Sequence, residues 1–196
     1  QPSPGDSSAG RPVAELVDAH PIVFGGDVEN PNFVDAAIAR LGTNRAYRPE
    51  LPRIGAIRGF LRKESVTLRS DCQKFGRTTG YTRGRVFSIH LSIWVKYSAR
   101  GTDALFKDQF LIVPTDGSSF VKGGDSGSLV VDDENRALGL IFAGAGERTA
   151  LQFADVEEAL DLENIVINQT PKIESYGVAN SISDVMKAFG IKLDAD

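Results

Sequence analysis

Between residues 83 and 97 apolar and polar side chains alternate. Phe87, Ile89, Leu91, Ile93, Val95 and Tyr97 fall on one face, and Ser88, His90, Ser92 and Lys96 on the other. A period of two predicts a half-buried β-strand whose second face is solvated. Shorter apolar runs bounded by Gly, Pro, Asn and Asp predict further strands at 54–60, 65–68, 105–113, 128–131 and 137–143. Many short strands separated by turn residues argue for an all-β barrel over βαβ units. The period changes near the C-terminus, where Val178, Ile182, Val185, Met186 and Phe189 share one helical face, Ser181 with Asp184 can cap its start, and Gly190 can stop it. Before it, Phe153, Val156 and Leu160 suggest a short acidic helix, and Ile165–Ile167 a strand.

A chain of 196 residues is long enough for one domain or two small barrels with a buried core. Its net charge of −4 conceals a split: residues 37–100 carry 14 Lys/Arg against 3 Asp/Glu, and residues 151–196 carry 3 against 9. The arginines at 40, 45, 48, 53, 58 and 62 are scattered without aromatic interleaving, a pattern that pairs with the acidic tail more readily than with nucleic acid. The lone Cys72 excludes an internal disulfide, which fits a reducing compartment such as a bacterial cytoplasm, or a processed secreted protein that does without bridges. No apolar run is long enough to span a bilayer. Histidines are few and far apart and no glycine-rich phosphate loop follows a strand, so neither a metal nor an organic cofactor is expected.

Residues 123–128, Gly-Gly-Asp-Ser-Gly-Ser, precede the apolar run Leu129–Val131. A serine hydroxyl becomes a useful nucleophile only with a neighbouring base and with N–H donors for the oxyanion formed after attack, and small neighbours let the backbone supply those donors. The alternative is a plain turn between two strands, which the same composition permits. The stretch resembles the nucleophile loop of chymotrypsin-like serine proteases. The segment from Cys72 to Val86 is similar to the one that opens the second barrel in bacterial members such as the streptogrisins, with Arg83 where those have a second cysteine. Residues 32–39 are similar to the segment that carries the family's catalytic aspartate, which would be Asp35.

The resemblance implies a chymotrypsin-like double β-barrel with the first barrel incomplete and a C-terminal helix on the second. It divides the chain into a loose segment (1–12), the remaining part of the first barrel (13–46), and the second barrel with an insertion near 145–176 (47–196). Ser126 would be the nucleophile, Asp35 the triad acid, and the amides of Gly124 and Ser126 the oxyanion hole, with Asp125 turned inward onto a buried donor. Phe120, six before the nucleophile, would floor the primary pocket and disfavour basic side chains, and Phe142, Ala143 and Gly144 would wall it. The substrate would be a peptide or protein.

The family needs a histidine ahead of the aspartate, and the chain offers only His20 and His90. His20 lacks the small-residue context of the family's base, and His90 lies on the solvated strand face. Two explanations stand. Residues 1–6 resemble a loop that follows the histidine-bearing strands in some bacterial trypsin-like peptidases, so the histidine would belong to a separate N-terminal fragment. Alternatively, the protein is a catalytically inactive protease fold that binds peptides by strand addition along Leu140–Ala143, or a structural module. The sequon at Asn168 has no further support.

Overall fold

The computed structural model describes residues 13–25, 28–43, 46–97, 101–144 and 175–191. The segment 1–12, the suggested helix and strand within 145–174, and the sequon at Asn168 lie outside the described residues.

Strands β1 (Ala14–Ala19) and β2 (Ala37–Leu41) pair antiparallel as a separate two-stranded sheet, and β3 (Glu50–Leu51) and β4 (Gly55–Ala56) form a second small one. The next six strands are β5 (Asp71–Gly76), β6 (Gly80–Tyr97), β7 (Thr102–Pro114), β8 (Leu129–Asp132), β9 (Ala137–Gly144) and β10 (Gly177–Ser181). They close into an antiparallel barrel in the order β10-β7-β6-β5-β8-β9. Closure removes the sheet edges, and the inward side chains fill the interior. Val86, Phe110, Ile112, Phe120, Val130 and Leu138 are completely buried there.

Strand β6 is buried at Thr82, Gly84 and Val86, but further along at Leu91 and, in part, at Ile93 and Val95. The inward phase thus shifts from even to odd positions. Irregularities in the β6–β7 register between Val86 and Ile93 account for the switch, because one extra residue in a ladder turns every later side chain to the opposite face.

The all-β reading holds, and three element predictions change. The run 54–60 is strand only at β4, with an isolated bridge at Phe60, and Gly59 between them takes a φ of +111°, outside the extended range. The run 65–68 gives way to a 3₁₀ turn at Lys63–Ser65, after which Val66 inserts into the core. Val178 belongs to β10, and the helix α1 spans Ile182–Ala188. A strand buried on both faces shows no alternation, so its valine extends the helical spacing by coincidence. At the end of α1, Gly190 with φ +62° returns its N–H to Lys187 and Ile191 returns its own to Met186, a Schellman stop. Among the described residues no helix is long and apolar enough to cross a membrane.

Candidate active site

The loop between β7 and β8 carries residues 123–128. Asp125 is 1 % exposed and its carboxylate holds the loop from within. Oδ1 accepts from the amides of Thr78 (2.7 Å) and Thr79 (3.2 Å), and Oδ2 from the Thr79 hydroxyl (2.7 Å) and the Lys122 amide (3.0 Å). The Lys74 ammonium lies 3.5 Å from Oδ2, both side chains being fully buried, and donates to the Thr79 hydroxyl. Burial alone would raise the Asp125 carboxyl, but the hydrogen bonds from Thr79, Thr78 and Lys122 outweigh it and keep the group below the usual carboxylate range. Burial pulls Lys74 below the usual ammonium range, with Asp125 opposing part of the shift. The inward donor expected for Asp125 is therefore Lys74, from the inward face of β5.

Two glycines make this packing possible. A side chain at Gly76 would collide with the Asp125 carboxylate and stand 2.9 Å from the Lys74 ammonium. Gly124 has φ +98°, and a Cβ there would lie 2.6 Å from the Thr78 hydroxyl. Held this way, the loop exposes Ser126, whose hydroxyl is 3.5 Å from the Phe142 carbonyl. Asp125, Gly127 and Ser128 donate their amides to Lys122, Ile141 and Asp125, whereas the amides of Gly124 and Ser126 have no acceptor among the described residues.

Ser126 opens onto a cleft of about 540 Å³, in the range of small-ligand sites. Phe142, Ala143 and Gly144 line it together with Ser126. Gly144 has to be glycine, since a Cβ would collide with Val121 and approach the Tyr176 carbonyl to 2.6 Å. Phe120 does not line the cleft. It is completely buried in the barrel core, where Gly84 and Gly177 make room for its ring and Lys74 sits 5.4 Å from the ring centre. Val121 takes the cleft position instead. The template assigned to Leu140–Ala143 also narrows. β8 pairs with β9 as far as Leu140, and Gly127 and Ser128 occupy both backbone groups of Ile141. Only Phe142–Gly144 is left without a strand on that side among the described residues.

Asp35 reaches this region by docking on the barrel. Asn180, completely buried in β10, accepts from the Asp35 amide and donates to its carbonyl, both at 2.9 Å, and donates to Leu140 as well. Upstream, Asn32 pairs with the backbone of Leu105 and Lys107, and Gln109 donates to the Phe33 carbonyl. The Asp35 carboxylate accepts from the Tyr97 hydroxyl at 2.5 Å, at the end of the strand whose Val95 and Lys96 line the cleft. Burial, then the hydrogen bond to Asp35 and its charge, push the Tyr97 phenol well above its ordinary value, so it remains a donor. Asn180, Tyr97 and Lys74 were not singled out from the sequence. Polar residues at the inward positions of strands were the available signal.

The histidines lie elsewhere. His20 Nδ1 is 3.1 Å from the carbonyl of Pro21 and the ring meets Phe189 edge-on. His90 is exposed, 3.1 Å from Asp108. Neither hydrogen-bonds to Ser126 or Asp35. Cys72 is buried, its thiol pushed up to about 12 by burial, and is unreactive in that state. Among the described residues no group of three or more His, Cys, Asp and Glu could hold a metal ion.

Solved bacterial serine proteases share the architecture. Chymotrypsin of Cellulomonas bogoriensis is 17% identical, with 85% of this chain and 72% of that one covered and a TM-score of 0.53. Protease A of Thermobifida fusca is 16% identical, with 90% and 81% covered and a TM-score of 0.54. The Nocardiopsis protease is 14% identical, with 90% and 81% covered and a TM-score of 0.52. At these identities the likeness shows the fold: an all-β, chymotrypsin-like one. No curated protein sequence matches the chain. The family model of the Nal1 C-terminal domain matches residues 62–166, from the turn before β5 past β9 and short of β10. That match covers more than half of the chain, and the protein belongs to the Nal1 C-terminal domain family.

Proposed function

We propose that the protein is a serine endopeptidase in which Ser126 attacks the peptide carbonyl, Asp35 orients the catalytic histidine, and a segment preceding the described residues supplies that histidine. The observation that carries this reading is the loop held by Asp125, which presents an exposed serine beside two amides that have no acceptor among the described residues. In the reaction the histidine takes the Ser126 proton as the hydroxyl oxygen bonds to the carbonyl carbon. The oxyanion is held by the amides of Gly124 and Ser126, and the proton passes to the leaving amine as the C–N bond breaks. Water then releases the acyl group by the same steps.

On this reading residues 13–46 are part of a first barrel completed by the histidine-bearing segment, and residues 47–196 are the second. The exposed apolar side chains of the β1–β2 sheet, Leu16 at 67 % and Val17 at 50 %, support it, because a barrel wall buries such positions. The second reading is a non-catalytic protease fold that binds peptides along Phe142–Gly144. The placement of both histidines away from Ser126 favours it.

A fluorophosphonate probe decides between them. The full-length protein with its upstream segment is expected to label at Ser126, and the 196-residue chain alone to label poorly, since a serine without its base loses most of its activation. Rapid stoichiometric labelling of the 196-residue chain overturns the off-chain histidine. Absence of labelling in the full-length protein leaves the peptide-binding module.

A further inference from the structure

We infer that the cleft beside Ser126 selects peptides with an acidic side chain next to the bond presented to the serine, with Lys96 and Lys122 as the residues that read the carboxylate. The inference names the substrate class of the proposed peptidase site and rests on that reading for cleavage, though not for binding. Both lysines line the cleft, Lys96 from the end of β6 and Lys122 from the loop four residues before Ser126. Both are exposed, and neither makes an ion pair or side-chain hydrogen bond among the described residues.

Among the described residues three carboxylates come into question near the two lysines, and none forms an ion pair with either. Asp125 is buried beneath the loop against Lys74. Asp35 is taken by the Tyr97 hydroxyl. Asp103 lies opposite Lys96 in the β6–β7 register and makes no ion pair with it. Among the described residues no carboxylate lines the cleft, and its two charged lining residues are both lysines, which favours a glutamate or aspartate over an arginine or lysine. The Lys122 amide is tied to Asp125, so its backbone stays fixed beside the nucleophile and only the side chain is free to follow the ligand. The remaining lining, Val121, Ile141, Phe142 and Ala143, takes the aliphatic part of the residue. Among the described residues the cleft gives nucleic acid no aromatic platform apart from Phe142, whose ring packs on Phe106.

The test uses the full-length protein and matched peptides with Glu, Gln or Lys at the positions flanking the scissile bond. Binding is read by fluorescence anisotropy on the Ser126→Ala protein and cleavage on the parent. Glu peptides are expected to exceed their Gln counterparts by about tenfold in both measurements, an advantage that shrinks as salt is raised, because exposed ion pairs are individually weak and screened. Lys96→Glu with Lys122→Glu is expected to reverse the order toward Lys peptides, and the single Lys→Gln variants each to lose part of it. Arg58→Glu, which changes charge outside the cleft, is expected to keep it. Equal binding of Glu and Gln peptides by Ser126→Ala overturns the inference, as does an unchanged order in the double variant of a folded protein. Acidic preference in binding without fluorophosphonate labelling keeps the inference and rejects the peptidase reading. Labelling without acidic preference does the opposite.

Discussion

Lys74 is the residue on which the loop geometry rests most heavily. A lysine at an inward strand position carries a large desolvation cost, and Asp125 offsets it only with the pair intact. Lys74→Met fills a similar volume but leaves the carboxylate buried without its cation. The variant is expected to lose about 3 kcal/mol or more of stability in denaturant titrations. It is also expected to label at Ser126 about a hundredfold more slowly in the full-length protein, the order expected when an oxyanion-hole donor is lost. Tyr97 is the second such residue. Tyr97→Phe keeps the ring between Phe24 and Phe106 and removes only the hydroxyl that holds Asp35. On the proposed mechanism, kcat of the protein with its histidine-bearing segment is expected to fall about tenfold with KM unchanged, in keeping with one lost charge-assisted hydrogen bond to a positioning group. A parallel rise in KM would place Tyr97 in substrate binding instead.

At the scale of elements, the segment 32–35 is held to the barrel by side-chain amides that imitate strand partners. Asn180 gives Asp35 both hydrogen bonds of a ladder position, although Asp35 belongs to no strand. Asn180→Ala removes both and leaves the Leu140 carbonyl with one donor fewer. The expected cost is about 2 kcal/mol. The Asp35 amide is expected to exchange with solvent much faster while the amides of β7 keep their protection, which hydrogen exchange resolves residue by residue. Uniform loss of protection would mean that Asn180 stabilises the whole barrel rather than this one docking. The bulged stretch of β6 works with this clamp, because it turns Val95 and Tyr97 toward the face where Asp35 and the cleft meet.

At the scale of the molecule, the closed barrel couples the Asp125 cluster to global unfolding, since its partners come from the β5–β6 turn and the β7–β8 loop. A carboxyl whose folded value lies below its ordinary 3.8 contributes stability that is complete above that pH and is lost as the pH falls through the folded value. Stability measured by denaturant midpoint is therefore expected to drop on acidification below about pH 4. Asp125→Asn should flatten that part of the profile. An unchanged acid limb would assign the loss to the surface carboxylates, such as Asp71, which its hydrogen bond to Arg85 also holds low.

The strands at 105–113, 128–131 and 137–143 and most of β6 were legible because alternation and turn residues are local properties of the chain. The serine loop was legible through its resemblance to the protease nucleophile loop, and in the structure its Gly124 takes a positive φ that few residues other than glycine adopt. The inward role of Asp125 was what that resemblance implied. Hidden from the sequence were Lys74 as its partner, β10 as a strand, Phe120 as core, and the amide clamp on Asp35. Each of these is decided by contacts between residues far apart in the chain. A lysine reads as surface until a buried carboxylate faces it, and Val178 reads as helix until β7 and β9 flank it on both sides. Phe120 reads as a pocket floor until Gly84 and Gly177 open a space that its ring fills. The sequence by itself determined the alternating strands, since hydrophobic period acts over a few residues, and its resemblance to a known family pointed to the serine loop. Only the tertiary structure decided which polar side chains turn inward, because burial is a property of the closed barrel and of the partners it brings together.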